Sequence, residues 1–132
     1  MKKIMITGCG GMLGSSVYTY LKSKGGDILA TDIDLNEDWL SYLDVRDYEK
    51  SRDICMKFNP EIILHLAALT SLEFCEQNPE AAHDTNYIGT LNMAKISQKL
   101  DVPLVYISTA GVFDGNKLVY TEKDKPNPIN VY

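Results

Sequence analysis

Short apolar runs alternate with longer amphipathic stretches along residues 2–107. Apolar residues spaced three or four apart predict helices, whereas short continuous apolar runs predict strands that are buried on both faces. The pattern predicts strands at 2–7, 27–32, 61–66 and 104–107 and helices at 11–24 and 47–58, with a further helix of about twenty residues that begins at Pro79. Residues 33–45 and 109–132 show neither pattern and are predicted to be irregular.

The helical spacing also predicts which side chains face the core. In the first helix the inward residues are Leu13, Val17, Tyr20 and Leu21, and in the long helix they are Tyr87, Leu91 and Ala94.

His65 lies inside the third apolar run, between Leu64 and Leu66. A buried and hydrogen-bonded histidine is therefore favoured over a metal or substrate ligand.

Strands that alternate with helices indicate an α/β fold with right-handed crossovers. Continuous apolar strands indicate a parallel sheet that is covered on both faces. We therefore expect a Rossmann-type, doubly wound parallel sheet of about four strands in the order 3-2-1-4. Residues 1–132 are expected to form one domain, with the edge strand at 104–107 left open.

Composition and charge narrow the choice of partner. The net charge is −5 and the sequence pI is about 4.9, which argues against nucleic acid or an anionic membrane surface as the main partner. No apolar run is long enough to predict a membrane span, and the apolar stretch at residues 4–6 is too short to predict a signal peptide. Three widely spaced cysteines, Cys9, Cys55 and Cys75, indicate a reducing cytoplasm and form no metal-binding pattern.

Three glycines follow the first strand and open the first helix. Gly8 permits a tight turn out of the strand, Gly11 lets a phosphate approach the backbone, and Gly14 lets the helix pack against the strand. Free N–H groups and the positive end of the helix dipole lie at the same place. The spacing is Gly-x-x-Gly-x-x-Gly, with Leu13 at the last glycine position of the Gly-x-Gly-x-x-Gly form. The pattern predicts a site for a dinucleotide pyrophosphate.

Asp32 ends the second strand, about twenty residues after the glycine turn. A carboxylate at this position can accept both hydroxyl groups of an adenosine ribose and would repel a 2′-phosphate. The residue therefore favours NAD, with NADP as the alternative, and Asp34 is a rival for the same role.

Cys9 lies inside the glycine turn, either as a small residue that fits or as a thiol whose pKa is lowered by the helix N–H groups.

The chain resembles the extended short-chain dehydrogenase/reductase superfamily, also described as NAD-dependent epimerases/dehydratases. Within it, the chain is most similar to the dTDP-4-dehydrorhamnose reductase group. The segments that carry the likeness are 6–14, Asp44-Val45, 59–70, 86–92, 105–115 and 120–132.

The resemblance implies a role for each matching residue. Cofactor would be bound by the pyrophosphate-contacting Gly11, Met12 and Leu13, by Asp32 at the adenosine ribose, by Asp44 and Val45 at the adenine, and by Ala67, Ala68 and Leu69 toward the nicotinamide ribose. Thr109 matches the family's catalytic Ser/Thr. Tyr132 matches the catalytic tyrosine, which exchanges a proton with the substrate oxygen while hydride moves to or from nicotinamide.

Two departures from the family pattern change the expected activity. Ala110 and Gly111 stand where the reductases commonly carry Asp and Tyr. The family also pairs its tyrosine with a lysine four residues later, which would favour the phenolate and is not in this sequence. The family's substrate-binding segments are likewise expected to be absent. We therefore expect a fragment that binds cofactor without turnover, from a longer enzyme that acts on a nucleotide sugar.

Four candidate functions follow from these residues and from the resemblance. The leading one is the cofactor-binding part of a reductase that acts on a 4-keto nucleotide sugar. Epimerase or dehydratase chemistry on the same fold is the close alternative. The resemblance also implies a non-catalytic, NAD-binding regulatory protein, because some relatives of the reductase group are regulatory subunits. A nucleotide-binding signalling domain without nicotinamide chemistry is the fourth, and it would leave Thr109 and Tyr132 without a role. The apolar edge at 104–107 also predicts self-association.

Overall fold

A computed structural model describes residues 2–132. Its centre is a five-stranded parallel sheet in the order β3-β2-β1-β4-β5. The strands are β1 (Lys3–Thr7), β2 (Asp27–Asp32), β3 (Ser41–Tyr42), β4 (Ile62–His65) and β5 (Leu104–Tyr106). Because the strands are parallel, the loops that follow them meet at one edge of the sheet.

Helices connect β1 to β2, β3 to β4 and β4 to β5, and they cover both faces of the sheet. They are α1 (Met12–Ser23), α2 (Tyr48–Phe58), α3 (Leu72–Gln77), α4 (Pro79–Ala82) and α5 (Thr90–Leu100). A π-helical segment, His83–Gly89, joins α4 to α5, so that helical backbone runs from Pro79 to Leu100. Neighbouring residues of β1 belong to different cores: Met5 packs with Cys55 and Met93, and Ile6 packs with Ala30 and Leu40. The sheet is therefore covered on both faces, as a doubly wound fold requires.

The ends of α1 and α2 carry residues that are typical of helix caps. Gly25, at φ +77°, ends α1, and its N–H donates to the Lys22 carbonyl at 2.9 Å. The Asp47 side chain accepts the Lys50 N–H at 3.1 Å at the start of α2. Asn59 ends α2 in the left-handed conformation directly before Pro60.

The predicted fold class is confirmed, and the number of strands is corrected from four to five. The predicted order 3-2-1-4 would put the apolar run at 61–66 beside the strand at 27–32, but the structure places the two-residue β3 there. That run is β4, between β1 and β5. Two residues are too few to show a period in the sequence, so β3 could not be predicted from it.

Several residues predicted to face inward are exposed. Tyr87 is 58% exposed, and Leu13 and Tyr20 also lie largely in solvent, whereas Val17 and Leu21 pack against the second core. Tyr87 belongs to the π-helical segment, whose wider turn shifts the register that an α-helical period assumes. The inward face of α5 carries Asn92, Met93, Ile96 and Ser97, flanked by the half-buried Leu91 and Ala94.

Candidate functional site

The glycine turn brings the loop after β1 against the loop after β4. A Cβ atom on Gly8, which has φ +68°, would lie 2.5 Å from the backbone nitrogen of Ala67. A Cβ atom on Gly14 would collide with the Gly8 carbonyl oxygen and would lie 2.5 Å from the Cα atom of Cys9. The fold itself therefore requires glycine at both positions, because a Cβ atom does not come this close to nonbonded backbone atoms.

Gly11 is a glycine for a different reason. Its φ of −73° suits any residue, and the nearest atom to an added Cβ is the Gly8 carbonyl oxygen at 3.5 Å, an ordinary contact. Gly11 is exposed, so an alanine there would fit the protein and would occupy the space above the turn. The absence of a side chain keeps that surface open to an approaching group.

The start of α1 lies directly beside this open surface. Gly11 is the N-cap residue, and within residues 2–132 no side chain caps the helix there. The next two residues, Met12 and Leu13, are 90% and 50% exposed. The first N–H groups of a helix have no intrahelical acceptor and carry partial positive charge. The turn therefore presents unpaired backbone donors to solvent, an arrangement that suits an anion.

Asp32 holds the same turn from the end of β2. Its Oδ2 accepts the Gly10 N–H at 2.9 Å, and its Oδ1 accepts the Asp34 N–H at 3.1 Å. Asp32, and not Asp34, therefore faces the glycine turn. Gly10 was not predicted as a site residue, but its added Cβ would lie 3.0 Å from Asn36 Oδ1 and 3.2 Å from Asp32 Oδ2. The signal in the sequence that could have indicated it is the pair Gly10-Gly11.

Asp44 and Val45 follow β3 at the same edge of the sheet. The Arg46 guanidinium donates to both carboxylate oxygens of Asp44, with Nε at 2.9 Å from Oδ1 and an Nη at 2.7 Å from Oδ2. The side-chain hydrogen bond from Arg46 lowers the pKa of Asp44, so its carboxylate is a charged acceptor at neutral pH. Val45 is buried in the first core.

The loop after β4 carries Ala67, Ala68 and Leu69, and a side chain from the π-helical segment holds it. Asn86 Oδ1 accepts the Leu69 N–H at 2.8 Å, and Asn86 Nδ2 donates to the Leu69 carbonyl at 3.0 Å. The amide group therefore satisfies both backbone groups of one loop residue. Asn86 belongs to segment 86–92, which carries the family resemblance, but the sequence did not indicate this role.

Beneath this loop, His65 links the sheet to α5. Its Nδ1 lies 2.7 Å from the Thr7 hydroxyl, and its Nε2 lies 2.9 Å from the Thr90 hydroxyl. The side chain is almost fully buried, and burial lowers its pKa to about 4. A buried, hydrogen-bonded histidine was predicted, and the contacts confirm it.

Cys9 is a small buried residue of the second core. Burial, together with the charge of Asp32, raises the pKa of its thiol to about 12. The alternative of a lowered thiol pKa at the helix terminus is therefore wrong. Its Sγ atom lies 3.5 Å from the Gly14 carbonyl oxygen.

Thr109 and Tyr132 lie in the segment that follows β5. The Thr109 hydroxyl accepts the Gly111 N–H at 3.0 Å and caps a single 3₁₀ turn, Ala110–Val112. The Asn127 N–H donates to the Val112 carbonyl at 2.8 Å, which folds the chain back toward this turn. The Val131 N–H donates to the Glu76 side chain at 2.7 Å and places half-buried Tyr132 near α3. Their catalytic roles stay predictions.

A doubly wound parallel sheet with a glycine turn between its first strand and first helix defines a Rossmann-type α/β domain. Residues 1–132 match the family model described as RmlD substrate binding domain. The chain therefore belongs to that family.

Similar proteins agree with this assignment. A dTDP-4-dehydrorhamnose reductase of Mycolicibacterium smegmatis is 32% identical over 133 residues, which are 99% of this chain and 38% of that protein. The methionine adenosyltransferase 2 subunit beta of Xenopus tropicalis is 31% identical over 131 residues, which are 99% of this chain and 39% of that protein. The chain thus spans about two fifths of the length of the curated relatives it matches.

A solved structure gives the same result. The crystal structure of dTDP-4-dehydrorhamnose reductase from Bacillus anthracis in complex with NADP aligns with a TM-score of 0.89 and 34% identity. The alignment covers 100% of this chain and 45% of that chain. The predicted resemblance to the reductase group is therefore confirmed.

Of the helices formed by residues 2–132, none is both long and apolar enough to cross a membrane.

Proposed function

We propose that this chain is the nicotinamide dinucleotide-binding part of a reductase that acts on a nucleotide sugar. The observation that carries the proposal is the open surface at Gly11, where α1 begins without a side-chain cap. Gly11, Met12 and Leu13 would contact the pyrophosphate: Met12 and Leu13 would donate their N–H groups, and Gly11, whose N–H donates to the Gly8 carbonyl at 3.4 Å, would let the phosphates approach the backbone. The reductase relatives support the class of substrate.

The remaining site residues are proposed to follow the dinucleotide along the edge of the sheet. Gly8 and Gly14 shape the turn, Asp32 would accept the hydroxyl groups of the adenosine ribose, and Asp44 and Val45 would contact the adenine. Ala67, Ala68 and Leu69 would line the path to the nicotinamide ribose. These loops follow four different strands at one edge of the sheet.

NAD is the proposed cofactor rather than NADP. The segment 27–45 contains six acidic residues and neither lysine nor arginine: Asp27, Asp32, Asp34, Glu37, Asp38 and Asp44. A 2′-phosphate beside Asp32 would therefore meet negative charge and find no cation from this segment. NADP is the alternative, since the similar reductase of Bacillus anthracis was solved with it.

Two side chains are proposed for proton transfer. The bound dinucleotide supplies hydride chemistry when present. The Thr109 oxygen accepts the Gly111 N–H, which leaves its hydroxyl hydrogen free to donate to a substrate oxygen. The Tyr132 phenol would exchange a proton with that oxygen. Epimerase or dehydratase chemistry would use the same two groups, since the fold alone does not choose among them.

A non-catalytic regulatory protein is the second candidate function. It is favoured by the relatives named methionine adenosyltransferase 2 subunit beta, of which the Xenopus tropicalis protein is 31% identical to this chain, against 32% for the reductase. Reduction of a 4-keto nucleotide sugar, measured on the longest polypeptide that the gene encodes, separates the two. Turnover supports the reductase, whereas dinucleotide binding without turnover supports the regulatory protein.

Self-association through the edge of β5 is also proposed. Val105, Tyr106 and the following Ile107 are 43–52% exposed. An apolar parallel edge can pair with a second chain. Sedimentation over a range of concentrations tests this, because a monomer at the highest concentration would contradict it.

Calorimetric titration of the Gly11→Ala variant with NAD tests the proposed cofactor site. The methyl group fits the protein but occupies the open surface, so binding should weaken by about tenfold or more. The thermal midpoint should stay within about 2 °C of the wild type, because no contact is lost. Thr19→Ala, an exposed change farther along α1, is the control and should leave binding unaltered. Equal NAD affinity in Gly11→Ala and wild type would contradict the site.

A further inference from the structure

The segment from Asp44 to Arg46 is held by α5. Asn92 Nδ2 donates to the Val45 carbonyl at 3.0 Å and to the Arg46 carbonyl at 3.1 Å. Asn92 is buried, with 6% of its surface exposed. Because both acceptors are carbonyl oxygens, only the nitrogen of the amide group can face them.

A second contact brings the same helical run onto this segment. Gly89 precedes Asn92 by three residues, which places both on one face of the run. A Cβ atom on Gly89 would lie 2.6 Å from Val45 Cγ2, so the glycine permits this close approach. The backbone of Val45 is therefore held from the helix by Asn92, and its side chain packs directly against Gly89.

The held segment positions a charged acceptor. The Asp44 carboxylate accepts from the Arg46 guanidinium, and the buried Ser51 hydroxyl donates to the Asp44 carbonyl at 3.2 Å. The two residues that follow Asp44, Val45 and Arg46, both accept hydrogen bonds from Asn92 on their carbonyl oxygens. Movement of Asn92 would therefore move the carboxylate.

We infer that Asn92 is a positioning residue for recognition of the adenine base. The inference rests on the proposed function, in which Asp44 contacts the adenine. Asn92 holds the Asp44–Arg46 segment so that the carboxylate can accept a hydrogen from the 6-amino group of adenine. A hypoxanthine base carries an oxygen at that position, and two acceptors would then face each other.

Calorimetric titration with NAD and with nicotinamide hypoxanthine dinucleotide tests the inference. The wild type should prefer NAD. In Asn92→Ala, NAD should bind about tenfold more weakly while the hypoxanthine analogue changes by less than about twofold, so the preference is lost. Asn92→Ser keeps one donor and should give an intermediate ratio. It also serves if the alanine variant does not fold.

The control is Ser97→Ala, because Ser97 is also buried on α5 but lies farther from the held segment. It should keep the wild-type preference for NAD. A general loosening of the fold would weaken both dinucleotides equally in Asn92→Ala and Asn92→Ser. That result, or an unchanged ratio in both variants, would overturn the positioning role.

Hydrogen exchange without ligand separates this inference from the proposed function. In Asn92→Ala, the amides of Arg46 and Asp47, which donate to Asp44, should exchange at least about tenfold faster. The Leu69 amide, which donates to Asn86, should be unaffected. Unchanged exchange at Arg46 and Asp47 would overturn the inference alone. Absence of NAD binding by the wild type would overturn the proposed function and, with it, the role in adenine recognition.

Discussion

Gly8 and Ala67 meet backbone to backbone, so that a Cβ atom on Gly8 would lie 2.5 Å from the Ala67 nitrogen and 2.6 Å from its Cα. The turn after β1 and the loop after β4 therefore cannot approach further without moving a strand. Since β1 and β4 are direct neighbours in the sheet, the contact is rigid. It fixes the distance between the proposed pyrophosphate and nicotinamide ends of the site.

Gly8→Ala is expected to destabilise the protein severely. The residue has φ +68°, which costs a side chain about 1–2 kcal/mol, and its new methyl group would meet backbone that cannot rotate away. The total loss should exceed about 3 kcal/mol. Urea unfolding followed by circular dichroism measures it. Gly11→Ala is the matched control, since its added methyl makes only an ordinary contact, and a similar loss in both variants would contradict the assignment.

Asp32→Asn is expected to change cofactor preference with little damage to the glycine turn. The amide oxygen can still accept the Gly10 N–H, while the negative charge beside the ribose is removed. The ratio of NADP to NAD affinity should rise by about tenfold. Titration with both dinucleotides measures the ratio. Asp34→Asn is the control, because that exposed side chain does not face the turn, and a larger shift there would assign the ribose to Asp34.

His65 should make the protein less stable as the pH falls from about 6.5 to 4. Burial lowers its pKa from 6.5 to about 4, so the unfolded chain takes up a proton in this range while the native state does not. The destabilisation is absent above pH 6.5, grows through the interval and levels off below pH 4 at about 3 kcal/mol.

The measurement is urea unfolding at several pH values. His65→Gln keeps a polar side chain without the titration and should flatten the profile across this interval. The carboxylates whose pKa values are lowered, Asp44 among them, lose their stabilisation at lower pH, below their ordinary value of 3.8. An equal slope in the variant and the wild type would show that another group is responsible.

Gly89→Ala should be rescued by a second change across the contact. Its methyl group would lie 2.6 Å from Val45 Cγ2 but 3.4 Å from Val45 Cβ. The single variant should lose about 1–3 kcal/mol through overpacking. Val45→Ala removes the conflicting methyl, so the double variant should be more stable than the sum of the single changes predicts, by about 1 kcal/mol or more. Strict additivity in urea unfolding would mean that Gly89 and Val45 do not meet.

The sheet could be predicted because its long strands are continuous apolar runs, and Gly8, Gly11 and Gly14 mark the turn that follows the first of them. The two-residue β3 has no such run. The π-helical segment was missed because a change of helical pitch leaves no mark in a period calculated for an α-helix, and Tyr87 was misplaced for that reason.

Asn86 and Asn92 show why part of the site could not be predicted. Their partners are backbone atoms of Leu69 and Val45, which lie 17 and 47 residues away along the chain. A backbone atom is the same in every residue type, so the sequence does not indicate which loop an asparagine will hold. Asp32 could be predicted because it ends a strand at a set distance from the glycine turn.

The bond between Asp32 and Gly10 ties the choice of nucleotide to the shape of the phosphate turn. A substitution that removes the carboxylate so that a 2′-phosphate can bind would also leave the Gly10 N–H without its acceptor, unless the new side chain supplies another one. Cofactor switching in this scaffold is therefore a two-part problem. An engineer who replaces Asp32 with a basic or small residue must rebuild the support of the turn at the same time.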